Sequence, residues 1–239
     1  MAVAQRINID VDVWLFQLSS TPDEQERLAR YLSQDEQARA ARFVNPTHGA
    51  QYAAGRGRMR EIIARYTGTP PQSLRFLTGS AGKPSLEGAG VPSFNLSHTG
   101  GTAALAVSAI GNVGVDIETV RDITMDVARR FFSAAEVAAL EALLPDQRVA
   151  AFYRCWTRKE AVVKALGDGM SFPLDEFEVS IDAGHPPQLL RLNGHSTADL
   201  RHWHLAHIGD DVLPPDIVGA LAIQAAQPIA EVRVRFRQP

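Results

Sequence analysis

Two carboxylates, Asp116 and Glu118, stand two residues apart in the segment GVDIE, alternating with the apolar Val115 and Ile117. In a strand, residues i and i+2 project from one face, so both acids point one way and both aliphatic side chains the other. Neighbouring carboxylates repel unless a cation lies between them, and hard oxygen donors suit Mg2+. The same pair is also compatible with two solvated acids on an exposed strand. A second set, Trp156, Glu160 and Lys164, shares one helical stripe at i, i+4 and i+8 within FYRCWTRKEAVVKALGDG. On a free surface Glu160 and Lys164 would be an ordinary ion pair. Facing the strand, Glu160 becomes a third oxygen ligand and Lys164 a cation for a phosphate, and Trp156 on the stripe argues for packing.

The segment FNLSHT places Asn95, Ser97 and His98 beside a turn, where side chains and backbone N–H groups can receive an anion. Serine beside histidine raises the question of a nucleophile pair, but no acid-bearing motif completes a triad and there is no G-x-S-x-G elbow. No second His or Cys stands at ligand spacing from His98, which leaves metal ligation by histidine unsupported. Lys83 lies between Gly82 and Pro84 in a rigid loop suited to a positioned phosphate contact, while Arg39 and Arg56 sit on early helices.

These residues need elements to hold them. Residues 11–18 read as a first strand, and Thr21 with Glu24 starts a helix running to residue 32. A second helix spans 33–43, capped by Ser33 with Glu36 at its third position, and a longer one spans 48–66 after Asn45-Pro46 and ends at Gly68. Residues 70–92 are rich in Gly, Pro and Ser, which implies loops and short strands. Strands follow at 94–97, 103–107 and 113–118, then helices at 127–132, 134–144 and 148–166. The last strands are expected at 176–181, 188–192, 203–208 and 218–224. Arg42-Phe43 and Arg130-Phe131 each precede a long helix, a loop and strands, suggesting two similar α+β halves that meet near residue 112.

Composition sets outer bounds. The 239 residues, 45% hydrophobic and 21% charged, suit one large domain or two smaller ones with a sizeable core. A net charge of −3 disfavours a broad nucleic-acid surface, and no stretch approaches the length of an apolar membrane span. The single cysteine, Cys155, excludes an internal disulfide and fits a reducing, cytoplasmic setting. The first residues read as part of a strand rather than as a signal peptide.

In chain order the motifs are G-K-P, F-N-L-S-H, G-V-D-I-E and W-T-x-K-E-A-x-x-K, with RFF at 130–132 and GDGMSFPL after the last long helix. So arranged, the sequence resembles the Sfp-type 4'-phosphopantetheinyl transferases of the holo-acyl-carrier-protein synthase superfamily, over residues 33–180. The resemblance implies an α+β fold of two similar halves, residues 1–112 and 113–239, related by a pseudo-two-fold axis. Each half would pack a small sheet against a long helix, with the active site at their junction. It implies Mg2+ held by Asp116, Glu118 and Glu160, with Lys164 on the α-phosphate of coenzyme A. Ser97 and His98 correspond to residues that bind coenzyme A, His98 near its 3'-phosphate, and Lys83, Arg39 and Arg56 to basic contacts at the nucleotide end. Tyr52 departs from the smaller hydroxyl residue of some members.

The implied reaction is attack by a serine of an apo carrier protein on the β-phosphate, releasing 3',5'-ADP, with Glu160 or a metal-bound water as base. Catalysis would fall to Asp116, Glu160 and Lys164. The implied partner is an acidic helical-bundle carrier, with Arg129, Arg130, Phe131 and Phe132 as candidate contacts, the phenylalanines being equally candidates for the core. A monomer without membrane or nucleic-acid partners is expected. Two other readings use the same residues: a Mg2+-dependent phosphohydrolase, and a coenzyme A- or carrier-binding module without catalysis.

Overall fold

In the computed structural model, residues 5–79, 82–167, 172–192, 200–209 and 211–239 are described. Residues 168–171 of the GDGMSFPL segment lie outside them. Alternating apolar residues make Ile7–Gln17 the first strand, β1. Three helices follow: α1 (Pro22–Ala29), α2 (Gln34–Ala41) and α3 (Pro46–Thr67). Thr21 caps α1 by accepting from the Glu24 N–H, while Ser33 and Glu36 form a full capping box on α2. Gly68 closes α3 at φ 67°, a left-handed position that glycine reaches without a Cβ penalty.

A hairpin of β2 (Phe76–Thr78) and β3 (Pro84–Leu86) leads to β4 (Ser93–Thr99), β5 (Thr102–Ser108) and β6 (Asn112–Thr119). Next come α4 (Met125–Phe131), α5 (Ala134–Glu141) and α6 (Pro145–Leu166). The chain ends with β7 (Phe177–Val179), β8 (Leu189–Leu192), β9 (Trp203–Ile208), β10 (Ile217–Gln224) and β11 (Ile229–Arg237).

Two sheets result. One has the order β11-β1-β5-β4 and the other β6-β10-β9. Within them β1-β5-β4 and β6-β10-β9 repeat one antiparallel pattern, each with a 22-residue helix on one face. Met59, Ile62 and Ile63 of α3 pack on Trp14, Phe16 and Leu105, while Val162 and Val163 of α6 pack with Ala220 and Ala222. A third core, with Val11 and Val13 of β1 beside Val115 and Ile117 of β6, lies where the halves meet.

The final strand is absent from the sequence expectations. β11 runs parallel to β1, so the sheet of the first half takes its edge strand from the far end of the chain. Asp12 of β1, only 6% exposed, holds it there: its carboxylate accepts from Arg235 at 2.8 Å, Arg237 at 3.1 Å and the Tyr66 hydroxyl at 2.6 Å. A cut between residues 112 and 113 therefore assigns one strand of the first sheet to the second segment.

Candidate active site at the junction of the halves

The sheets are joined by side chains rather than by a backbone ladder. β4 is polar at every second position, and Ser93, Asn95, Ser97 and Thr99 accept hydrogen bonds from the N–H groups of Val113, Val115, Ile117 and Thr119 at 2.9–3.3 Å. The constant offset of 20 residues sets the two strands parallel in register and fixes β6 against the first half. Buried N–H groups that would otherwise lack partners are thereby satisfied.

Across the other face of β6 lies α6. A Cβ built on Gly114 would stand 2.0 Å from the Ala161 carbonyl oxygen and 2.4 Å from the Ala165 nitrogen. Only glycine allows so close an approach, and it brings the helix stripe of Glu160 and Lys164 down to the strand that carries Asp116. The Lys164 ammonium donates to Asp116 Oδ1 at 2.6 Å and to the Ser97 hydroxyl at 3.1 Å, and that hydroxyl donates to the same Oδ1 at 3.1 Å.

Asp116 is 3% exposed, and its Oδ2 has no hydrogen-bond partner among the described residues. A buried acceptor left unpaired is costly, so this oxygen is a candidate to meet a ligand. Burial pushes the Asp116 carboxyl above the usual range, against the pull of Lys164 and Ser97. Glu118 is raised by burial and then by the Asp116 charge, and Glu160 by burial, then Asp116, then Glu118. Lys164 is the cation that lowers all three. Asp116 raises both Glu118 and Glu160, and Glu118 raises Glu160 further, while Lys164 acts on all three and Arg121 on Glu118, so acids outnumber cations at the site.

As they stand, no three His, Cys, Asp or Glu side chains among the described residues converge closely enough to hold an ion. In donor chemistry the set nevertheless suits a hard divalent cation: oxygen ligands only, an excess of acids, and one buried oxygen unpaired.

Beside the junction, a cleft of about 1250 Å³ runs across the first half, lined by Arg39, Arg56, His98 and Tyr52 among others. Arg39 lies over the Tyr52 ring at 5.2 Å, whereas Arg56 is paired with Glu36 at 2.5 Å and stacks on Phe76 at 5.3 Å. The His98 ring is exposed, and desolvation in the cleft followed by the Lys164 charge holds its pKa below the ordinary value. Arg42 and Arg75 line the same cleft. The signal for them was their position beside Phe43 and Phe76, in segments otherwise read for secondary structure.

Lys83 is placed differently. Its ammonium donates to the carbonyl oxygens of Val113 at 3.0 Å and Lys164 at 2.5 Å, so the G-K-P lysine caps the last turn of α6. Trp156 packs against Phe152 and Phe131. Phe132, 3% exposed, belongs to the core, and Phe131 is half-buried beneath Arg130. Arg129 is engaged by Glu141 at 2.7 Å and Asp126 at 3.0 Å.

Residues 112–222 match the family model described as the 4'-phosphopantetheinyl transferase superfamily, and residues 17–110 match 4'-phosphopantetheinyl transferase, N-terminal. The transferase HetI of a Nostoc species is 37% identical over 185 residues, which span 75% of this chain and 78% of that protein. Sfp of Bacillus subtilis is 31% identical over 66% of this chain and 70% of its own length. AcpT of Salmonella typhimurium reaches 44% over 54% of this chain and 65% of its own. The solved holo-[acyl-carrier-protein] synthase of Thermotoga maritima aligns at 20% identity and TM-score 0.36, over 48% of this chain and 64% of that one.

Proposed function

Because the chain belongs to the 4'-phosphopantetheinyl transferase superfamily, we propose that it transfers the phosphopantetheine arm of coenzyme A to a serine of an apo carrier protein, releasing 3',5'-ADP. The observation that carries this reading is the buried Asp116, held by Lys164 and Ser97 and facing Glu118 and Glu160 beside a cleft with several arginines.

Coenzyme A lies with its nucleotide end in that cleft. Arg39 is the best-placed contact, since Arg56 already serves Glu36, and His98 on the rim nearest Lys164 takes the 3'-phosphate. Asp116, Glu118 and Glu160 would hold Mg2+, and the bound ion would offset the charge of the diphosphate. Lys164 reaches the α-phosphate and stabilises the leaving nucleotide as the bridging bond breaks. Its side chain keeps 27% exposure while the ammonium is held by Asp116.

The carrier serine must lose a proton. Glu160, directly or through a metal-bound water, is the candidate base, because it stands with Asp116 and Lys164 at the junction where the phosphate would be attacked. The carrier is an acidic helical protein that docks near Arg130 and the half-buried Phe131, and the enzyme works as a monomer with both halves in one chain. Among the described residues, no helix is long and apolar enough to cross a membrane.

The deciding experiment incubates the protein with coenzyme A, Mg2+ and an apo carrier, followed by intact-mass analysis. The expected result is a carrier heavier by one phosphopantetheine arm, with one 3',5'-ADP per carrier. Nucleotide release without a carrier would support hydrolysis instead. Coenzyme A binding with neither product would leave a binding module.

A further inference from the structure

We infer that Ser97 is a positioning residue whose hydroxyl fixes which oxygen of Asp116 faces the divalent cation; this rests on the metal reading above. The Ser97 side chain is 6% exposed, and every hydrogen-bonding capacity of its hydroxyl is used within the protein. A hydroxyl has one proton and two lone pairs. The proton goes to Asp116 Oδ1 at 3.1 Å, and the lone pairs accept from the Ile117 N–H at 3.3 Å and the Lys164 ammonium at 3.1 Å. No proton or lone pair remains for coenzyme A, so the contact implied by family resemblance does not fall to this hydroxyl.

Oδ1 accepts from both the Ser97 hydroxyl at 3.1 Å and the Lys164 ammonium at 2.6 Å. Oδ2 is left buried and unpaired among the described residues. The carboxylate is thus clamped in one rotation, with Oδ1 satisfied and Oδ2 presented. Through the Ile117 bond, Ser97 also ties this clamp to the joint between the halves, so the orientation of Asp116 is set by the first half of the chain.

Ser93 supplies a control. It accepts from the Val113 N–H at 3.2 Å as another rung of the same joint and makes none of the bonds to Asp116 or Lys164. The test compares Ser97→Ala, Ser97→Thr and Ser93→Ala in the full chain. Divalent-ion affinity in the presence of coenzyme A is read by titration calorimetry, with coenzyme A KM and kcat alongside. The expected result is that Ser97→Ala weakens ion affinity on the order of tenfold, as removal of a ligand-orienting partner does. Coenzyme A KM should change less than about twofold, as expected when no binding contact to the substrate is lost. Ser97→Thr should recover most of the ion affinity, and Ser93→Ala should lose comparable thermal stability while keeping it.

A Ser97→Ala enzyme that lost coenzyme A affinity but kept ion affinity would overturn the inference. So would a Ser93→Ala enzyme that bound the ion as weakly as Ser97→Ala. If the wild type binds no divalent ion, the metal reading itself fails. The positioning role is then decided by a crystal structure of metal-free Ser97→Ala, in which an Asp116 carboxylate unchanged in rotation would refute it.

Discussion

Helices α3 and α6 are one design used twice, and they differ where chemistry is at stake. Each has 22 residues, starts at a proline and ends at a left-handed glycine, Gly68 or Gly167. Each follows a short helix with a capping box, Ser33 with Glu36 or Ser133 with Glu136. In each a buried cation on the long helix grips that glutamate and two carbonyls. Arg60 takes Glu36, Pro71 and Leu74; Lys159 takes Glu136, Leu174 and Phe177. The next residue is glutamate in both, and here the likeness ends. Burial pushes Glu61 up, but the guanidiniums of Arg27 and Arg58 more than reverse this, and its carboxyl lies below the usual range. Glu160, beside Asp116 and Glu118, lies above it. Four residues on, Arg65 covers the Trp14 ring whereas Lys164 meets Asp116. The framework is common to both halves, while of these two glutamates Glu160 is the one that stands among more acids than cations.

The largest effect should separate those two glutamates. Glu160→Gln is expected to lower kcat by on the order of 10³-fold, the range for loss of a proton-transfer group. Glu61→Gln should leave kcat alone and cost about 1–2 kcal/mol of stability through two weakened ion pairs. Equal kinetic losses would erase the distinction between the halves. Steady-state kinetics and urea melts on both variants decide it.

The buried cations come next. Lys159→Met leaves Glu136 buried without a counter-charge and should destabilise by about 3 kcal/mol. Arg60→Met should cost less, since Glu36 keeps Arg56 at 2.5 Å. A larger loss for Arg60→Met would show that the two frameworks are not balanced as described. Gly114→Ala follows, at about 2–3 kcal/mol for forced overpacking. Because α6 must move off β6, it should also lower kcat, and a variant that kept both stability and rate would show that the close approach is unnecessary.

Much of this repetition was legible in the sequence. S-x-x-E at 33–36 and again at 133–136, then Pro46 and Pro145, then Gly68 and Gly167, recur at nearly constant spacing. The paired acids and the Glu160–Lys164 stripe were readable because strand and helix periods fix which side chains share a face. Two things were not. The polar positions of β4 resemble an anion site, yet Asn95 and Ser97 spend their polar atoms on the N–H groups of β6, a partner that local periodicity cannot name. The basic alternation of residues 229–237 resembles a solvated tail until the buried Asp12, more than 220 residues away, is seen to bind it.

Lys83 offers the finest test, because it fastens the loop of the first half to the end of α6 in the second. Burial without a carboxylate lowers its pKa from 10.5 to about 8. Between those values the unfolded chain holds a proton that the folded one has released, so this group makes stability rise with pH there. Below about 8 both states are charged and the full burial cost persists, offset by the two carbonyls it caps. Lys83→Met should therefore flatten the stability profile between pH 8 and 10.5 by about 2–3 kcal/mol relative to the wild type. At neutral pH the same variant should lower kcat more than it raises coenzyme A KM, because the cap steadies Lys164 and the ammonium faces backbone rather than nucleotide. Urea melts across that pH range check the first expectation. A variant with an unchanged slope and a KM raised at constant kcat would return Lys83 to the nucleotide.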